Sequence, residues 1–207
     1  MYNNSVNPSN GMPMGYVRVL HTVPDAPNVD IYADDKLIVS NLAYGDYTDY
    51  LPIPEGIYKI SLYVAGTKDS PVLANMLSVI NNSILTVAAV GYLRNIRLLA
   101  ITDANVAKQR GKAMIRFMHL SPNAPAVDIT LPDGTVIFSN VSFEHITPYI
   151  FVDPMNYTLQ VRAAGTSNVV LTVPNVNLEA EKYYTIYAIG LVGEKPELEA
   201  LLLLDGE

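Results

Sequence analysis

The chain has no cysteine, no tryptophan and only three histidines among its 207 residues. Without cysteine there are no disulfides, thiolate metal sites or cysteine nucleophiles, and the redox compartment carries no marker. His21, His119 and His145 are too few for a histidine-rich metal centre, so no metal site is expected. Long apolar runs are also lacking: the longest, residues 84–93, is interrupted by Thr86 and Gly91. A membrane-spanning helix needs roughly 20 apolar residues, so none is expected. Positive charge is scarce, and the formal net charge of −7 argues against a nucleic-acid partner. The one local basic cluster, Lys108-Gln109-Arg110-Gly111-Lys112, reads as a solvated linker. The first ten residues hold neither a basic nor an apolar signal region, so no secretory signal is expected there. There is no glycine-rich phosphate loop, nucleophile elbow or nucleotide fingerprint, and no cofactor is expected.

What the chain does contain is a repeat. The run Val17-Arg18-Val19-Leu20-His21-Thr22-Val23-Pro24-Asp25-Ala26-Pro27-Asn28-Val29-Asp30-Ile31 returns as Ile115-Arg116-Phe117-Met118-His119-Leu120-Ser121-Pro122-Asn123-Ala124-Pro125-Ala126-Val127-Asp128-Ile129, at an offset of 98. After one insertion near Asp133-Gly134-Thr135 the offset is 99. It then holds from Ser40-Asn41 and Ser139-Asn140, through Ala65-Gly66-Thr67 and Ala164-Gly165-Thr166, to Gly91 and Gly190. A self-match of this length means two copies of one fold.

Within each copy the apolar period is two. Tyr58, Ile60, Leu62 and Val64 alternate with Lys59 and Ser61, and Tyr157, Leu159, Val161 and Ala163 alternate with Thr158, Gln160 and Arg162. Such alternation predicts strands with one buried face. Residues 84–90 and 184–189 are more continuously apolar, as strands buried on both faces would be. Turn residues at Asp34-Asp35-Lys36 and Asp133-Gly134-Thr135 predict hairpins. No segment shows a capped helical period. Short strands at this spacing predict an all-β chain of two tandem sandwiches, with a small closed barrel as the structural alternative. The expected division is an arm over residues 1–15, a first repeat over 16–107, a linker over 108–113 and a second repeat over 114–207.

The stretch His21-Thr22-Val23-Pro24-Asp25-Ala26-Pro27-Asn28-Val29-Asp30-Ile31-Tyr32, then Leu51-Pro52-Ile53-Pro54-Glu55-Gly56-Ile57-Tyr58 and Ala65-Gly66-Thr67, resembles the bacterial domain of unknown function 4397. The second copy matches through His119-Leu120-Ser121-Pro122-Asn123-Ala124-Pro125-Ala126-Val127-Asp128. It departs where Asn123 stands for the usual aspartate and where Pro154-Met155-Asn156 replaces the proline–glycine turn. The resemblance implies immunoglobulin-like sandwiches, commonly in tandem, in proteins often exported to the bacterial surface. It implies no activity.

His21 and His119 hold equivalent places before a Pro-x-Ala-Pro corner. A catalytic reading would join them to Asp25, Asp30, Ser121 or Asp128. The first copy, however, has Val23 where the second has Ser121, so no nucleophile is shared. His21, Asp25, Asp30, His119, Asn123 and Asp128 are therefore expected to stabilise turns. Asp34-Asp35 suggests calcium, but its counterpart Pro132-Asp133 has one carboxylate, so a solvated hairpin is expected. Tyr44, Tyr47 and Tyr50 form a candidate ligand platform for a glycan or protein. Tyr44 and Tyr50 have Phe143 and Tyr149 as counterparts, which points instead to core roles for those two.

The expected function is non-catalytic binding or assembly at the bacterial surface or envelope. The rivals are a carbohydrate-binding module using the tyrosines and a hydrolase using the His21 and His119 corners. Self-association through sheet edges or the N-terminal arm is a further expectation. In particular, Val169-Val170-Leu171-Thr172-Val173 is β-branched and uncharged, as an unprotected edge would be.

Overall fold

The computed structural model describes residues 11–206. Period-two sequence becomes strand throughout. The first copy contains β1 (Met14–His21), β2 (Val29–Ala33), β3 (Lys36–Leu42), β4 (Leu51–Pro54), β5 (Gly56–Val64), β6 (Leu73–Val79), β7 (Ile84–Val90) and β8 (Arg97–Thr102). A 3-10 turn, Leu93–Asn95, precedes β8 and is the only helical element among the described residues. The second copy repeats the series as β9 (Ala113–His119), β10 (Val127–Thr130), β11 (Val136–Val141), β12 (Ile150–Val152), β13 (Asn156–Ala163), β14 (Val169–Asn177), β15 (Tyr183–Ile189) and β16 (Glu199–Asp205). No helix of the described residues is long and apolar enough to cross a membrane.

Each copy is a sandwich of two four-stranded sheets. The first has orders β4-β1-β7-β8 and β3-β2-β5-β6, and the second has β12-β9-β15-β16 and β11-β10-β13-β14. The chain is all-β, two tandem immunoglobulin-like sandwiches, with β1 pairing β7 in parallel and β9 pairing β15 in parallel. Inside the first sandwich Val17, Val19, Leu85, Val87 and Ala89 pack on Ile31, Ile60 and Leu62 of the other sheet. Ile115, Phe117, Ile186 and Ala188 do the same with Ile129, Leu159 and Val161 in the second. The alternate residues of the same strands form a third core: Leu20, Ala88, Val90 and Ile101 meet Met118, Tyr187, Ile189 and Leu203. The sheets holding β1 and β9 therefore pack face to face and join the sandwiches in four layers. That contact is why residues 84–90 and 184–189 are apolar on both faces.

Two expected boundaries move. Met14 and Gly15 belong to β1, paired with Pro54 and Ile53, because strand β4 extends far enough to hold them. Ala113 is the buried first residue of β9, paired with Val152, so it is not linker. The rest of the proposed arm, residues 1–10, lies outside the described residues. Between the sandwiches Lys108 and Arg110 are exposed, while Ala104 and Val106 pack on Met114, Tyr149 and Tyr183 of the second. The segment Val169–Asn177 is an edge strand, and Pro174 falls at the register shift between Val173 and Val176 in its ladder with β13.

Candidate functional site

The signature residues converge on one corner of each sandwich. His21 is fully buried, and its Nδ1 accepts the Val23 N–H at 3.3 Å while Nε2 faces the Pro27 carbonyl at 3.3 Å. His119 repeats this with the Ser121 N–H at 3.3 Å and the Pro125 carbonyl at 3.0 Å. With Nδ1 accepting, the proton belongs on Nε2, which donates to the carbonyl. Burial pushes both imidazoles below their ordinary range, against the opposing pull of the Pro27 and Pro125 carbonyls. The Ser121 hydroxyl is buried without a hydrogen-bond partner, so it is the amide of that residue, not its oxygen, that meets His119. His145 is exposed.

The carboxylates of the motif are tied to backbone as well. Asp30 accepts the Asn41 N–H at 2.7 Å and the Gly66 N–H at 2.8 Å; Asp128 accepts the Asn140 and Gly165 N–H groups at the same two distances. Asn41 and Asn140 have positive φ at irregularities in the β2–β3 and β10–β11 ladders, whose freed amides the aspartates satisfy. Gly66 and Gly165, at φ 78° and 71°, supply the left-handed turn that the Ala-Gly-Thr motif requires. Asp25 accepts the Leu93 N–H at 2.7 Å. Asn123 does the same for Val192 at 2.8 Å, and its amide also donates to the Val192 carbonyl at 3.1 Å.

The tyrosine platform is not assembled. Tyr44 packs into the core between the sandwiches and edges His21, and Tyr50 turns inward to donate to Asp103 at 2.8 Å. Only Tyr47 is exposed, at 48%. The apolar interface claims the first ring and the buried carboxylate claims the second hydroxyl.

That carboxylate belongs to a polar cluster that sequence reading missed. On the contact between the sandwiches, Arg18 reaches across to Asp205 at 2.6 Å and Arg116 reaches back to Asp103. All four side chains are 4% exposed or less. Arg18 also donates to the Thr86 hydroxyl at 2.8 Å and the Leu204 carbonyl at 2.8 Å. Arg116 donates to the Thr185 hydroxyl at 2.7 Å and the Thr102 carbonyl at 2.8 Å. Tyr50 donates to Asp103 and Tyr149 to Asp205, each at 2.8 Å, and each ring lies under the arginine of its own sandwich. Every element has its mate in the other copy, so the cluster is a clamp with approximate two-fold symmetry.

The clamp contains two positive and two negative charges in a water-poor site. Burial would lower the Arg18 guanidinium, but Tyr187, Tyr50, Asp205 and Asp103 outweigh it and raise it. Burial, then Asp205, push the Asp103 carboxyl above its usual range, opposed by Thr86, Arg116 and Tyr50. Burial raises Tyr50 and Tyr149 as well, so both phenols stay protonated as donors. Beside the clamp lie two solvent-open grooves, about 470 Å³ next to Arg116 and Tyr149 and about 430 Å³ next to Tyr50. No group of acidic or histidine side chains suited to a metal ion occurs among the described residues.

The missed residues did leave a signal. Arg18 and Arg116 interrupt apolar strands at the same place in both copies. Asp103 and Asp205 escape the 99-residue offset because the loop over residues 191–198 is three residues longer than its mate, shifting the final strand to an offset of 102.

The family model described as "Domain of unknown function (DUF4397)" matches residues 15–130 and 131–207, as expected of tandem copies. No curated protein matches the chain. Among solved structures it is similar to the C-terminal domain of AlgF from P. aeruginosa, at 20% identity and a TM-score of 0.36, over 46% of this chain and 99% of that one. It is also similar to CBMbc, a family CBM26 module of Eubacterium rectale Amy13K in complex with maltoheptaose, at 9% identity and a TM-score of 0.29, over 94% and 98%.

Proposed function

The chain belongs to the DUF4397 family, and on that premise we propose that it acts without catalysis, as a two-domain binding or assembly module of the bacterial envelope. The observation that carries the reading is where the reactive side chains point. His21 and His119 bond their own turns, Asp30 and Asp128 bond strand and turn amides, and the arginines and aspartates of the clamp bond each other. A general base must reach a substrate proton, and a nucleophile must reach that base. These histidines are buried and aimed at proline carbonyls instead. The envelope half of the proposal rests on the resemblance to surface-exported members. The assembly half rests on edge strands such as β14, whose Val169 is 39% exposed.

Three measurements test it. Fractionation of the source bacterium should recover the native protein with the envelope; recovery in the cytosol alone would overturn the location. The purified chain should turn over no ester, glycoside or peptide substrate above background. Turnover that disappears in His21→Ala or His119→Ala would return the corners to catalysis. Sedimentation of the full chain beside one beginning at Gly11 addresses assembly, and identical monomers would remove the arm from it.

A further inference from the structure

Because the clamp is nearly two-fold symmetric, each sandwich carries a complete set of its parts. Arg18 of one first sandwich has the right chemistry for Asp103 of another, and Arg116 for another Asp205. Nothing in the charged quartet itself forbids like pairing with like. The symmetry fails at two other places, and both failures act against it.

The first lies in the buried centre. On β7 the interface residues are Thr86, Ala88 and Val90; on β15 they are Thr185, Tyr187 and Ile189. Ala88 and Tyr187 hold the same position in the two copies and are both completely buried in the shared core. Burial, then Asp103 and Asp205, raise the Tyr187 phenol, and Arg18 and Arg116 oppose them. Two second sandwiches would bring two tyrosines to this centre, and two first sandwiches would bring two alanines. Close-packed interiors tolerate neither the overlap nor the void.

The second lies at the rim. Arg97 of the first sandwich forms an ion pair with Glu144 of the second at 2.5 Å. Arg97 and Glu199 are equivalent, each closing the ladder of its edge strand against Val90 or Ile189, and Glu144 corresponds to Gly45. The geometry agrees, since a Cβ on Gly45 would lie 4.0 Å from the Glu199 carboxylate. Two second sandwiches would set Glu199 against Glu144 twice. Two first sandwiches would leave Arg97 facing glycine.

We propose that Ala88 with Tyr187, and Arg97 with Glu144, make the clamp face a partner-selecting surface that accepts an unlike DUF4397 domain and rejects its own kind. Specificity of this sort needs a penalty on the wrong pair as well as contacts in the right one. Here the arginine–aspartate quartet supplies the contacts shared by every pairing, and the two asymmetric positions supply the penalty. The occupant of this face is therefore the other half of the same chain.

The test uses the full chain, cut by trypsin in the exposed segment 108–111 after folding. The two fragments should co-elute on gel filtration, and dilution in sedimentation velocity gives their affinity. Ala88→Tyr should weaken association tenfold or more, and Ala88→Tyr with Tyr187→Ala should recover most of that loss. Glu144→Arg should weaken it several-fold, and adding Arg97→Glu should restore it. The rim pair is partly exposed, 41% and 24%, so its reversal does not depend on the core and reads out even if the central variants fold poorly. The proposal is overturned if either swap restores nothing, or if neither single variant changes the affinity.

Discussion

Arg18, Tyr50, Thr86 and Asp103 in the first sandwich have Arg116, Tyr149, Thr185 and Asp205 in the same places in the second. The sheet faces turned away from the contact are not alike. There the first sandwich carries Tyr32 and Tyr63, edge to face at 5.2 Å, where the second carries Thr130 and Arg162. The charged clamp is thus the same in both copies, with Ala88 against Tyr187 and Arg97 against Glu199 as the exceptions on the shared face, while these outer-sheet positions diverge. A buried charge quartet explains the first half of that contrast. A single lost partner leaves an unpaired charge in a dry site, whereas an outward side chain is constrained only by solvent and neighbours on its own sheet.

The largest expected effect tests whether the clamp is symmetric in energy as well as in geometry. Arg18→Met and Arg116→Met should each cost about 3–5 kcal/mol, measured by urea denaturation, because each leaves a buried aspartate without its partner. Costs that differ by more than about 2 kcal/mol would show that one side carries the interface, given that context alone shifts such values by this much.

The corner histidines come next. His21→Ala and His119→Ala should each cost about 1–3 kcal/mol, the range for losing a buried hydrogen-bond partner, and should add closely if the two corners are independent. Their pH dependence has a definite sign. Both are held below the ordinary histidine value, so from about pH 6.5 downward the unfolded chain binds protons that the folded chain does not. The stability that the neutral imidazoles contribute is complete above that pH and declines as pH falls toward their folded-state values. The double alanine variant should show a shallower decline in denaturation midpoint between about pH 6.5 and 5. An unchanged slope would assign the acid sensitivity elsewhere.

A smaller effect separates the two motif corners. Asn123 both accepts from and donates to Val192, whereas Asp25 only accepts from Leu93. Asn123→Asp should therefore cost about 1 kcal/mol in thermal or chemical unfolding, and Asp25→Asn should cost less. Equal costs would mean that the amide donor contributes nothing. Smallest of all, Tyr47→Ala should fall within about 0.5 kcal/mol, since its ring is half exposed, while Tyr50→Phe should cost about 1–2 kcal/mol through its lost bond to Asp103.

Much of the frame was legible in the sequence, for local reasons. Alternation along residues 58–64 and 157–163 names a strand and its buried face wherever the strand lies, because side chains on a pleated backbone point to opposite sides in turn. Asp34-Asp35 and Asp133-Gly134 mark turns by their tolerance of positive φ, and both turns are present. The repeat required only comparison of the chain with itself.

The clamp was not legible, because its partners are up to 187 residues apart and no local pattern couples them. Arg18 in isolation is a polar residue on a strand, and the repeated Tyr50 points to a core role without naming Asp103 as the partner of its hydroxyl. Only when the two sheets stack does the face of β1 that carries Arg18 and Leu20 become interior, and burial then demands a carboxylate within hydrogen-bond reach of the arginine. The strands, turns and duplication were determined by the sequence alone, since local backbone sterics and apolar periodicity suffice for them. Which faces meet, and hence why Tyr44 and Tyr50 turn inward while Tyr47 stays out, was decided by tertiary packing, because desolvation acts on surfaces that exist only after both sandwiches have formed.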